Sequence, residues 1–130
     1  MSLLQTEGLY IADTEHKGRG VFCIHDIPKG SLVEIAPVLI LSKAEKQLIN
    51  LTLLYNYYFD WDETAENIAI ALGYGSLYNH SNKANCETSC DYERQEIKIQ
   101  STELIKAGTE LTINYAGTDP DMKNLWFKAL

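Results

Sequence analysis

Three features of the sequence predict a mainly β fold built from several small sheets with modest helix. Two glycine turns, "IPKGSLVEI" from Ile27 and "IKAGTELTI" from Ile105, carry Ile, Gly, Ser or Thr, and Ile at the same offsets. Each turn launches an apolar stretch, the pattern of a short strand leaving a tight bend. Further on, Cys86, Thr88, Cys90 and Tyr92 alternate along one face, and Ile97 and Ile99 along another. That period of two is the signature of paired strands. Only one segment carries a clear helix start.

The elements follow in chain order. Leu9 to Ala12 opens a strand, and "HKGRG" makes a flexible turn into a second strand, Val21 to Ile24. The Pro-Gly turn in "DIPKGSLVEI" feeds a strand from Leu32 to Ile35. Pro37 is expected to interrupt it, with Val38 to Leu41 resuming as a separate extended piece, because proline lacks a ladder donor. Ser42 and Glu45 form an S-x-x-E capping box heading a helix from Lys43 to about Leu54. Its spacing predicts burial of Leu48, Leu51 and Leu54. Ile68 to Leu72 is short and apolar enough for a buried strand, and the two alternating stretches form a hairpin turning at Glu93 to Gln95.

At 130 residues the chain suits one hydrophobic core, so residues 1–130 are expected to form a single domain. The net charge of −7 is spread evenly, and no half offers a basic patch. Sequence-independent binding to a nucleic acid backbone is therefore not expected. A diffuse acidic field favours a basic partner or is simply a solvating surface. The N-terminal stretch has no Lys or Arg ahead of its short apolar run, and no apolar run is long enough to span a bilayer. Three cysteines without an export signal point to reduced thiols in a cytoplasm-like compartment.

Chemistry concentrates in three segments: "KGRGVF" (17–22), "NHSNKANC" (79–86) and "ELTINYAG" (110–117). The wider stretch "YGSLYNHSNKANC" crowds amides, phenols, an imidazole and a thiol together, and such groups need partners if they are covered. Gly18-Arg19-Gly20 reads as a plain turn or as backbone that lets a ligand approach. It is too short for a phosphate loop and precedes a strand rather than a helix. His80 beside Ser81 and Cys86 suggests a nucleophile and base. Triad partners usually come from separate segments, however, so an anchoring role fits His80 better. Cys86, Cys90 and His80 suggest zinc, but a structural site needs four ligands and the other histidines are far off at 16 and 25.

Taken in order, "GRGVF…IPKGSLVE", "ALGYGSLYNHSNKANC" and "IKAGTELTINYAG" resemble the SET-domain protein lysine methyltransferases, including their smallest viral and bacterial members. The resemblance runs from about Gly8 to Gly117. It implies a mainly β SET domain: β-clip-like small curled sheets, a knot-like threaded C-terminal segment and short helices. It implies S-adenosylmethionine as cofactor and the ε-amine of a lysine in a protein or peptide as methyl acceptor; the acidic charge, if it meets the substrate, would favour a basic, histone-like tail. Carried across residue by residue, Gly18, Arg19 and Gly20 would contact the cofactor's methionine portion. Asn79 would bind its amino end, and the His80 backbone its adenine edge. Tyr115 would be the catalytic tyrosine. Tyr57 would line the lysine channel, with neighbouring Tyr58 left open for that role, and Trp126 or Phe127 would cover the adenine or close the channel. Asp60, Asp62, Glu63 and Glu66, just after Tyr57, would face a basic substrate or form a solvated loop.

Some positions depart from the family pattern. Asn82 and Ala84 replace a Cys and a Pro common in the "NHS" segment, and no Cys follows Cys90, so no zinc module is expected. Ile113, two before Tyr115, stands where many members have an aromatic residue linked to the degree of methylation. The resemblance admits a homodimer. It also admits the host nucleus as location if the chain comes from a virus or a secreted effector. A non-catalytic β-clip module binding a peptide or small ligand is the alternative from another class, and a metal-dependent hydrolase using His80 is a third.

Overall fold

The computed structural model describes residues 4–62 and 66–114. Its strands are β1 (Leu4–Gln5), β2 (Leu9–Asp13), β3 (Arg19–Cys23), β4 (Leu32–Leu41), β5 (Tyr58–Asp60), β6 (Ile68–Ala71), β7 (Asn79–His80), β8 (Cys86–Asp91), β9 (Glu96–Ser101) and β10 (Glu110–Ile113). One helix, α1 (Lys43–Ile49), and two 3-10 turns (Leu53–Asn56 and Gly75–Leu77) complete the described elements. A larger sheet runs β5-β6-β4-β9-β8 with β1 also on β4, and a smaller one runs β2-β3-β10-β7. The chain is mostly β, as the sequence predicts.

The two glycine turns do more than resemble each other. Ile27 and Ile105 pair antiparallel, each donating its N–H to the other's carbonyl at 2.8 and 2.9 Å. Gly30 donates to the carbonyl of Ser101, and Gly108 to that of Cys23. Cys23 and Ser101, Ile27 and Ile105, and Gly30 and Gly108 all lie 78 residues apart. The side chains follow the same relation. Ser101 Oγ donates to the Pro28 carbonyl (2.7 Å) beside that of Ser31. Cys23 Sγ points at the carbonyls of Lys106 (3.5 Å) and Thr109 (3.8 Å). The turns thus clip into one another about a local twofold. Both glycines have φ near +80°, a conformation in which a side chain would be strained.

β4 runs unbroken for ten residues, so Pro37 does not interrupt it. The reason is position. β1 pairs with Glu34 and Ile35, β6 begins pairing at Val38, and Pro37 falls at the hand-over. Its missing N–H breaks no ladder bond there, and its carbonyl accepts from Leu72 at 2.9 Å. The core lies against β4 and β9, where Val33, Ile97 and Ile99 are fully buried, and continues to Val21 and Leu111 of the smaller sheet.

The helix is shorter and more exposed than its spacing predicts. The capping box forms, with Ser42 Oγ accepting from the Glu45 N–H and Glu45 Oε1 from the Ser42 N–H. But α1 stops at Ile49, because Thr52 donates its hydroxyl to the Ile49 carbonyl and caps a fresh 3-10 turn through the Leu54 N–H. Leu48, Leu51 and Leu54 are 68%, 84% and 40% exposed instead of buried. Apolar spacing marks a face that could be covered, and no described element covers this one.

Candidate functional site

Strands β3, β10 and β7 bring the three chemical segments into one place. β10 lies between the other two, antiparallel to β3 (Glu110 opposite Phe22, Leu111 opposite Val21) and parallel to β7 (Thr112 opposite Asn79, Ile113 opposite His80). A parallel contact between such short strands needs outside help, and Asn85 supplies it. Its Nδ2 donates to the Glu110 carbonyl and its Oδ1 accepts from the Thr112 N–H, both at 2.9 Å. The Ser81 N–H donates to the Ile113 carbonyl and continues the ladder.

Gly18, Arg19, Gly20, Asn79 and His80 therefore gather around β10. The two glycines serve different needs. Gly18 has φ of +72° with open space beside it, so it supplies backbone conformation. Gly20 supplies room: a Cβ there would strike Glu110 Oε2 and approach Asn79 Nδ2 at 2.9 Å. That space holds a carboxylate–carboxamide pair, in which Asn79 Nδ2 donates to Glu110 Oε2 at 2.8 Å and to the Arg19 carbonyl at 3.1 Å.

The three asparagines of the polar stretch now have partners. Asn79 ties β7 to β3 and Glu110, and Asn85 clamps β10. Asn82 Oδ1 lies 3.1 Å from His80 Nε2. Ser81 Oγ accepts from the Lys83 N–H, a local turn contact. The His80 carbonyl accepts from Lys17 Nζ at 2.7 Å, which closes the rim of the site.

Nucleophilic thiol chemistry finds no support. Burial pushes the Cys86 thiol up to about 12, with Cys23 and Glu103 adding repulsion. Burial also raises Cys23 and Cys90. All three are protonated at neutral pH, and the thiolate is the reactive form. Among the described residues no group of three or more His, Cys, Asp or Glu is arranged to hold a metal. No helix among them is long and apolar enough to cross a membrane.

Of the paired tyrosines, Tyr58 is committed. Its hydroxyl donates to Asn50 Oδ1 at 2.8 Å, and burial, then nearby Asp60 and Tyr55, raises its pKa. Tyr57 caps the 3-10 turn, its N–H donating to the Leu54 carbonyl at 2.9 Å, immediately before β5. Tyr115, Trp126 and Phe127 lie outside the described residues, as does Glu63. Glu110, Asn85 and Lys17 were not singled out by sequence reasoning. The glycine at 20 was a clue to Glu110, since a missing Cβ signals something pressed against the backbone.

Comparison with known proteins agrees with this arrangement. The SET domain family model matches residues 18–116. A Schizosaccharomyces pombe protein named as a histone-lysine N-methyltransferase specific for H3 lysine 37 is 38% identical over 121 residues, covering 92% of this chain and 77% of the relative. A solved Plasmodium falciparum candidate histone methyltransferase superposes with a TM-score of 0.62 at 25% identity, over 85% of this chain and 94% of that one. The fold also recurs in ctPRC2 bound to S-adenosylmethionine, with a TM-score of 0.72 at 23% identity, over 93% of this chain and 16% of that one. Matched across three quarters of its length by the family model, and across most of it by the S. pombe relative, the protein belongs to the SET domain family.

Proposed function

We propose that the protein is a lysine N-methyltransferase that uses S-adenosylmethionine and acts on a basic, flexible protein segment such as a histone tail. The observation that carries this is the β3-β10-β7 arrangement, which sets Gly18–Gly20, Asn79 and His80 around one strand. The 38% identity to a histone-lysine methyltransferase supports the same activity. The donor set fits the cofactor. Asn79 Oδ1 and Glu110 Oε1 have no partner among the described residues, so the site offers acceptors to an ammonium group.

When bound, the cofactor supplies an electrophilic methyl group on a sulfonium sulfur. The protein's task is to present the lysine amine neutral and in line. Lysine titrates near 10.4 in water, so a neutral amine at pH 7 costs roughly 4–5 kcal/mol at ~1.36 kcal/mol per pH unit. Desolvation by aromatic walls lowers that cost, the role given to Tyr57. The Tyr115 hydroxyl accepts an N–H of the amine and fixes its direction, a positioning contribution. Neither step needs a metal or a thiolate.

Titration calorimetry with S-adenosylmethionine, paired with methyl transfer to a basic peptide, tests the reading. One site per chain and transfer to lysine are expected. Tyr115→Phe should cut transfer by orders of magnitude and leave cofactor affinity within several-fold. No binding heat, or wild-type turnover in Tyr115→Phe, would overturn the cofactor or the catalytic assignment respectively.

A further inference from the structure

We infer that Glu110 is the residue that sets the Asn79 carboxamide to read the cofactor's α-ammonium, an inference that rests on the proposed function. The argument begins with hydrogen-bond chemistry. Asn79 Nδ2 has two hydrogens, and two groups take them: the Arg19 carbonyl at 3.1 Å and Glu110 Oε2 at 2.8 Å. A carbonyl and a carboxylate can only accept, so the amide has one workable orientation. With both hydrogens engaged, Asn79 presents Oδ1 as its remaining group, and it accepts.

Glu110 contributes a second acceptor. Its Oε2 is bound to Asn79, and its Oε1 has no partner among the described residues. The Asn79–Glu110 pair thus offers two acceptors and no free donor of its own, with a negative charge on the carboxylate. That cradle suits a group with several N–H donors and a positive charge. It disfavours a neutral or anionic group in the same place. Gly20 belongs to the same device, because any side chain there would collide with Glu110 Oε2 and displace the pair. Glu110 thus acts through Asn79 as a positioning residue and beside it as charge.

β10 holds Glu110 in place through its backbone. The Glu110 carbonyl accepts from Asn85 Nδ2, and the residue stands opposite Phe22 in the antiparallel ladder. Its side chain reaches Asn79 of β7 beside Gly20 of β3. Glu110 is half-exposed, so its replacement leaves the core intact.

The test compares two probes by calorimetry: S-adenosylmethionine and its analogue lacking the α-amino group. Wild type should bind the amino-bearing probe tenfold or more tightly, since a hydrogen bond to a charged group is worth about that much. In Glu110→Ala that preference should fall to about threefold or less, with affinity for the desamino analogue unchanged. Glu110→Gln, whose Oε1 can still accept from Asn79, should recover part of the preference, and Asn79→Ala should lose it as Glu110→Ala does. A wild-type preference in Glu110→Ala, or equal weakening of both probes, overturns the inference and leaves the proposed function standing. No heat from wild type with S-adenosylmethionine overturns both.

Discussion

Asn85 Oδ1 accepts the backbone N–H of Thr112 at 2.9 Å, and both residues are 8% exposed. The side chain takes the place of a neighbouring strand, and its Nδ2 completes the imitation at the Glu110 carbonyl. Removing it orphans two backbone groups, each costing about 1–3 kcal/mol when left unpaired. Asn85→Ala is expected to lose about 2–4 kcal/mol, read as a lower urea midpoint at constant slope. Asn85→Asp should fare no better, because it sets an acceptor against the Glu110 carbonyl. A midpoint equal to wild type would show that solvent serves β10 as well as Asn85 does.

Alkaline pH should unfold this protein earlier than its composition suggests. The Cys86 thiol is raised from 9.0 to about 12 in the fold. An unfolded chain releases this proton near pH 9, whereas the folded one keeps it. Above pH 9 the unfolded state binds fewer protons, so stability falls as pH rises and the loss is complete near 12. The slope from this one group approaches ~1.36 kcal/mol per pH unit inside that window. Tyr78, buried with its hydroxyl on Glu34 at 2.6 Å, is raised as well and steepens the decline from pH 10. Stability curves between pH 8 and 11 should be flatter for Cys86→Ala than for wild type, and parallel curves would remove the thiol from the account.

If the acidic stretch after Tyr57 meets a basic substrate, kcat/KM on a Lys-rich peptide should drop with salt. The screening length falls from ~10 Å at 0.1 M to ~3 Å at 1 M. Asp62 is not the best residue to change, since its two oxygens accept from the Glu66 N–H and Asn67 Nδ2 and shape the loop. Asp60→Asn with Glu66→Gln leaves those acceptors in place and should flatten the salt dependence. Equal slopes in variant and wild type would assign the acids to solvation alone.

Much of the fold was readable because its signals are local. The glycine turns at 30 and 108, the hairpin of β8 and β9 and the Ser42–Glu45 box each depend on neighbours a few residues away. The extent of α1 was not, because Thr52 diverts the chain with a hydroxyl that competes for backbone bonds, and a periodicity cannot reveal whether anything covers it. Pro37 misled for a related reason: whether a missing donor matters depends on which strand lies alongside. At the site, Asn79 and His80 stood out by residue type. Glu110 and Asn85 did not, since their importance comes from partners 31 and 25 residues away.

The clipped turns also bear on how the chain is made. Gly30 and Ile27 cannot bond to Ser101 and Ile105 until those residues have left the ribosome, roughly 4–16 s later at about 5–20 residues per second. Throughout that interval the earlier turn has no template, and β3 has no β10 beside it. The clip and the β3-β10 pairing can close only after nearly the whole described chain has emerged, and such distant pairings are intrinsically slow to form. Fragments that end before Ser101 lack the groups to which Gly30 and Ile27 bond, and so should not hold the earlier turn as the whole chain does.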